Sequence, residues 1–272
     1  MKKQAQQRWT VRVAAAVATL ACGLALGVCT LAPAPMAGAS EVAASSEQAV
    51  GDVVAYVNGE AMPVSTLTDY IDGVRATIGS QTNAAWEAYL ADQGYTVDEY
   101  WTALITHYIR EMVLTQRADE LGLEVSTDEV EERIAQMKAD LGIDTEGAAF
   151  LWDAYLTTYG FTEESLRANQ AYYLLRAKLY ATEVEQPTVD DAMIQRYADA
   201  YGYLYGVPQT ADGTADLTAV DDATMERLTD GTRAFAWDYA CDLYTSQLVA
   251  DADIEILIPH QYDVPGQDHD AA

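Results

Sequence analysis

Apolar positions change their spacing three times along this chain. From Val13 to Ala32 they run on without a charge, behind Lys2, Lys3, Arg8 and Arg12. Val53, Val54, Tyr56 and Val57 then lead into Asn58-Gly59, a pair that tolerates positive φ at both centres of a type I′ turn. A hairpin of two short strands is predicted, its second strand running from Glu60 to Met62 and stopped by Pro63. From Ser65 onward the spacing is three and four, the period of an amphipathic helix. Val97, Trp101, Leu104, Ile105, Tyr108, Ile109, Met112 and Val113 trace one such stripe. Near the far end Ile254, Ile256 and Ile258 alternate, as in a half-buried strand over 253–259.

Start and stop signals divide the helical stretch. Thr96 with Glu99, and Ser126 with Glu129, are spaced as capping boxes, while Gly122, Gly142 and Gly160 stand just past helix ends. Helices are predicted near 65–79, 82–93, 96–121, 126–141, 145–159, 162–184 and 188–201, with a last one from Ala223 or Thr232 to Ala250. Between them Gly202, Gly206, Pro208 and Asp212-Gly213 break the pattern, so 201–222 reads as a loop or a small subdomain. A terminal strand must find backbone partners, and the hairpin is the other strand material in the chain. The fold class expected is therefore mainly α, a multi-helix domain with a small antiparallel β-sheet formed by the N-terminal hairpin and the C-terminal strand.

One pattern occurs twice. Trp86-Glu-Ala-Tyr-Leu leads to Gly94-Tyr95-Thr96, and 66 positions later Trp152-Asp-Ala-Tyr-Leu leads to Gly160-Phe161-Thr162. Each copy is a short aromatic helix, a glycine stop, a threonine start and a long helix: one helical hairpin used twice. The matched Trp and Tyr residues read as core packing.

The apolar run behind the basic N-terminus has the pattern of a signal peptide over 1–39, with Ala37-Gly38-Ala39 as an A-x-A site cut before Ser40. A run of about 20 apolar residues also suffices to span a bilayer, so a retained anchor is the alternative. Cys22 and Cys29 fit a lipidation site poorly. Each route places the chain outside the cytoplasm, secreted or tethered to the outer face of the cell membrane. Residues 40–51 are small and polar, a flexible linker, and 260–272 form a polar, disordered tail.

Charge narrows the partners. The chain carries −28, and the leader contributes four positive charges, leaving −32 on the remainder. Such a field repels phosphate backbones and anionic lipid, so nucleic acid is excluded and membrane contact is limited to a retained leader. Half of the residues are hydrophobic, enough to bury a core. Cys241 is the one thiol after the leader, and His107, His260 and His269 are scattered without zinc spacing. Asp212, Asp216, Asp221 and Asp222 do not follow calcium-loop spacing. No metal, cofactor or catalytic residue is expected, and the chain is not read as an enzyme.

Four stretches carry a family resemblance: "VVAYVNGEAMPVSTLTDYI", "LITHYIREMVLTQRADELGLEVSTDEVEERIAQMKADLG", "YGFTEESLRANQAYYLLRAKL" and the closing "ADIEILIP". Together they resemble the chaperone part of exported folding factors of the SurA and PrsA type. The resemblance implies a helical chaperone domain over 52–200, completed by a C-terminal helix and strand over 223–259. Members often carry a parvulin prolyl-isomerase domain of about a hundred residues between these parts. Here 201–222 takes its place, without histidine or cysteine. The implied function is a holdase-type chaperone for unfolded or partly folded exported polypeptides, lacking isomerase activity. The alternative is a surface-exposed helical module that binds one defined partner.

Holding a client needs exposed aromatic surface with charge around it. The chain has 18 Tyr. Tyr100, Tyr159, Phe161, Tyr172 and Tyr173 around the repeated hairpins, and the alternating Tyr201, Tyr203 and Tyr205, are the candidate client-binding residues. The alternative for each is a partly exposed packing aromatic.

Overall fold

Asn58 and Gly59 take φ of 52° and 82°, closing the turn that pairs β1 (Val53–Val57) with β2 (Glu60–Pro63). The computed structural model describes residues 52–79, 82–143, 149–261 and 264, so the expected leader, the linker and most of the tail lie outside it. Eight helices follow the hairpin within the described residues. They are α1 (Val64–Ile78), α2 (Asn83–Asp92), α3 (Val97–Glu120), α4 (Thr127–Asp140), α5 (Ala149–Tyr159), α6 (Glu163–Glu183), α7 (Asp191–Tyr201) and α8 (Asp222–Asp251). The chain closes with β3 (Ile254–Ile256), which pairs antiparallel with the free side of β1 to give the order β2-β1-β3. Asn58 fastens the joint: its amide N–H donates to the Asp253 carbonyl at 2.7 Å, and its side-chain oxygen accepts from the Asp253 N–H at 2.9 Å.

The predicted alternation of the last strand holds only in part. Ile258 is buried and Ile254 packs on the core, but Ile256 is 47% exposed. β3 is a three-residue edge strand whose regular pairing stops there, and both Leu257 and Ile258 donate to the Val54 carbonyl. A longer bond ties this segment down: Trp101, fully buried on α3, donates its indole N–H to the Ile258 carbonyl at 3.2 Å.

Both capping boxes form, with each Glu reaching back to the N-cap backbone as its own N–H meets the cap hydroxyl, and Thr162 with Ser165 makes a third. α7 begins at Asp191 rather than at 188. Pro187 holds the preceding residue extended, and the Asp190 carboxylate caps the Met193 N–H at 2.8 Å. α8 takes the longer of its two predicted lengths, because Asp221 caps the Thr224 N–H at 2.8 Å. The stretch between α7 and α8 is folded: two 3₁₀ turns (Gly202–Tyr205 and Leu217–Ala219) and a bridge between Gln209 and Ala215 pack Val207 and Ala215 inward. At the other end of the chain, Gln261 and Val264 are buried where a polar tail was expected.

Among the described residues, buried side chains fall into four clusters instead of one bundle core. The sheet, α1, α2 and α3 share the first, around Trp86, Trp101 and Leu104. α4, α5 and the start of α6 form the second, around Trp152 and Leu166. α7, the turn segment and the first half of α8 form the third, around Leu228. The ends of α3, α6 and α8 meet in the fourth, where Leu114, Ala118 and Leu179 pack beneath Tyr244. There Arg117 reaches Glu183 at 2.8 Å, and Tyr244 donates to the same carboxylate at 3.3 Å. α3, α6 and α8 thus make a spine carrying two smaller helical units. Among the described residues no helix is long and apolar enough to cross a membrane.

Candidate functional site

The two hairpins read from the sequence share their local geometry. Trp86 stacks on Tyr89 at 5.7 Å, and Trp152 on Tyr155 at 5.4 Å. Gly94 and Gly160 take φ of 84° and 70°, which lets the Tyr95 N–H return to the Leu90 carbonyl and the Phe161 N–H to the Leu156 carbonyl. Equal frames make their differences informative. Positions 84 and 93 of the first copy are exposed and hold Ala84 and Gln93. Their counterparts in the second copy are Phe150, 64% exposed, and Tyr159, 41% exposed. The fold of the hairpin does not require aromatic rings at these places, since the first copy forms without them.

The end of α5 abuts the end of α1. A Cβ placed on Gly160 would stand 3.5 Å from the Thr77 hydroxyl, so the exposed neighbours Tyr159 and Ile78 flank one seam. α8 buries different sides along its length: Leu228, Thr232 and Ala236 in its first half, and Cys241 and Thr245, about half a turn round the helix, in its second, where the Thr245 hydroxyl lies 2.8 Å from that of Tyr180 on α6. Phe235, Tyr239 and Leu243, four apart, face solvent. Tyr197 and Tyr201 of α7 pack on Phe235, each at 6.0 Å between centroids, carrying this face onto the next helix. Tyr203 and Leu204, both exposed, belong to the turn beyond it.

The eight aromatic candidates divide by burial. Tyr100 lies in the first core, edge-on to Trp86 and Tyr95, because it falls on the inward stripe of α3 between Val97 and Trp101. Tyr172 is equally buried, under the Arg176 guanidinium. Burial pushes both phenol pKa values well above the usual range. Phe161 is partly covered by the second core. Tyr173 is half-buried with Arg176 4.7 Å from its ring, and Tyr205 is half-buried with its hydroxyl 3.0 Å from that of Tyr197. Tyr201 is half-buried, while Tyr159 and Tyr203 are open.

Phe150, Leu204, Phe235, Tyr239 and Leu243 join this exposed set and were not singled out by residue type. The signal for the α8 residues is their spacing of four along one helix. Cys241 offers no nucleophile: it is buried, and burial, with Asp238 nearby, pushes its thiol pKa up to about 11. Among the described residues no group of His, Cys, Asp or Glu is placed to hold a metal ion.

Glu111 was also not singled out. It is buried on α3, with Oε1 3.3 Å from His107 Nε2 and Oε2 without a hydrogen-bond partner among the described residues.

Compared with known proteins, residues 2–180 match the family model described as the SurA-like N-terminal domain. No curated protein and no solved structure matches the chain.

Proposed function

Because this chain belongs to the family of SurA-like N-terminal domains, we propose that it is a holding chaperone for unfolded or partly folded exported polypeptides, acting outside the cytoplasm and without prolyl-isomerase activity. Domains of this family are the non-catalytic chaperone part of their proteins and are typically extracytoplasmic. The turn segment between α7 and α8 is far shorter than a parvulin domain of about a hundred residues.

The contrast between the two hairpins carries the proposal. Phe150 and Tyr159 present rings to solvent at positions where an equivalent frame is content with Ala84 and Gln93. Exposed apolar groups that packing does not require are available to a partner's apolar side chains. The charge of −28 keeps such a surface, and the complex formed on it, in solution.

The test converts the second hairpin to the first. Phe150→Ala with Tyr159→Gln is expected to leave folding intact and to weaken suppression of aggregation of a reduced, aggregating client by several-fold. A proline-containing peptide measures isomerisation in parallel. Unaltered suppression in the double variant, or no suppression by the parent protein, defeats the proposal.

A further inference from the structure

Three guanidinium groups lie along the exposed ridge of α8 and its neighbours, and each is engaged within the fold. Arg233 bonds Asp230 at 2.6 Å, Arg110 pairs with Asp242, and Arg176 lies over the Tyr173 ring. Asp238, between Phe235 and Tyr239 in sequence and one turn before Asp242, makes no hydrogen bond or ion pair among the described residues; Arg176 and Asp242 act on it through space. The ridge is therefore apolar along Phe235, Tyr239 and Leu243, with a carboxylate on its flank that no hydrogen bond or ion pair engages among the described residues.

Resting on the holding function above, we propose that this ridge selects among clients: it docks apolar segments that carry a lysine or arginine, with the cation seated at Asp238. The chain's strong negative field draws basic segments toward the ridge and repels acidic ones. It equally disfavours a second copy of this chain, which would bring like charge against like. Asp238 is exposed, so an arriving cation can reach its carboxylate from solvent. The aromatic neighbours add their faces to the same cation.

Two labelled, unstructured peptides that share their apolar residues and differ only in lysine versus glutamate test this by fluorescence anisotropy. The basic peptide is expected to bind about tenfold tighter at low salt, with the preference shrinking at about 0.3 M salt. Asp238→Asn is expected to remove several-fold of that preference while leaving binding of an uncharged peptide unchanged. Phe235→Ser with Tyr239→Ser and Leu243→Ser, all at exposed positions, is expected to weaken both peptides. Equal affinities for the two peptides, or a preference untouched by Asp238→Asn, overturn the inference. Aggregation suppression that persists in the triple variant overturns it too, while leaving the holding function standing. A parent protein that binds neither peptide and suppresses nothing overturns both.

Discussion

The hydroxyl of Tyr197 occupies the space that a side chain at Gly231 would need: a Cβ there would stand 2.7 Å from it and 2.6 Å from the hydroxyl of Tyr205. Glycine inside α8 is thus the condition for α7 and the turn segment to lie against that helix. In an open helix, replacing glycine with alanine stabilises by about 1 kcal/mol. Gly73 of α1 has nothing within 4 Å of such a Cβ, and Gly73→Ala is expected to show that gain. Gly231→Ala is expected to destabilise by about 1–2 kcal/mol, the overpacking exceeding the helical gain. Adding Tyr197→Phe and Tyr205→Phe removes the nearest atoms and is expected to restore part of the loss. Urea unfolding of the parent, Gly231→Ala, the Tyr197→Phe/Tyr205→Phe pair and their combination closes the cycle, and simple additivity would refute the coupling.

Trp101 joins α3 to the end of the chain. Trp101→Phe leaves the Ile258 carbonyl without its indole donor and a void beside it, and a loss of about 2 kcal/mol is expected. Hydrogen exchange should localise part of the effect to residues 254–258. Protection there equal to that of the parent protein would show that the indole does not hold the strand.

Glu111 is a buried carboxyl group with one oxygen unpartnered among the described residues. Such a group destabilises by its lost hydration, and an apolar side chain of similar length removes that penalty. Glu111→Met is expected to raise unfolding stability by about 1–3 kcal/mol. A fall in stability by chemical denaturation would mean that the carboxylate is matched by a partner.

The capping box of α4 predicts an acid response. Lys178, at 2.6 Å, and the Ser126 backbone and hydroxyl lower the Glu129 pKa to about 2. A depressed carboxyl pKa adds stability that is fully present above the ordinary value of about 4.3 and is lost as pH falls through the folded value. The gap in melting temperature between the parent protein and Glu129→Gln is therefore expected to be constant near pH 6 and to close as pH drops toward 2. A gap that stays constant over that range contradicts the assignment.

Much of the architecture was legible because its signals are local. Asn58-Gly59, the capping boxes and the doubled Trp-to-Gly pattern each state a backbone conformation within a few residues. The union of the two chain ends followed from a strand's need for partners. Burial of individual rings was less legible. Tyr100 and Tyr159 are the same residue type beside matching hairpins, and only the three-dimensional neighbours tell that one is inside and the other outside. The role of Gly231 is invisible for the same reason: the hydroxyls above it come from α7 and the turn that follows. The α8 ridge is hidden because large apolar groups on a helix are ordinarily read as core, while Phe235, Tyr239 and Leu243 lie outside it.

β1 waits for β3. Asn58 and Asp253, which close the joint between them, lie 195 positions apart, so one flank of β1 stays unpaired until synthesis has passed β3. Emergence of β3, rather than of the first helices, then sets when the sheet can form. Until that moment the nascent protein bears the kind of open strand edge on which other chains aggregate.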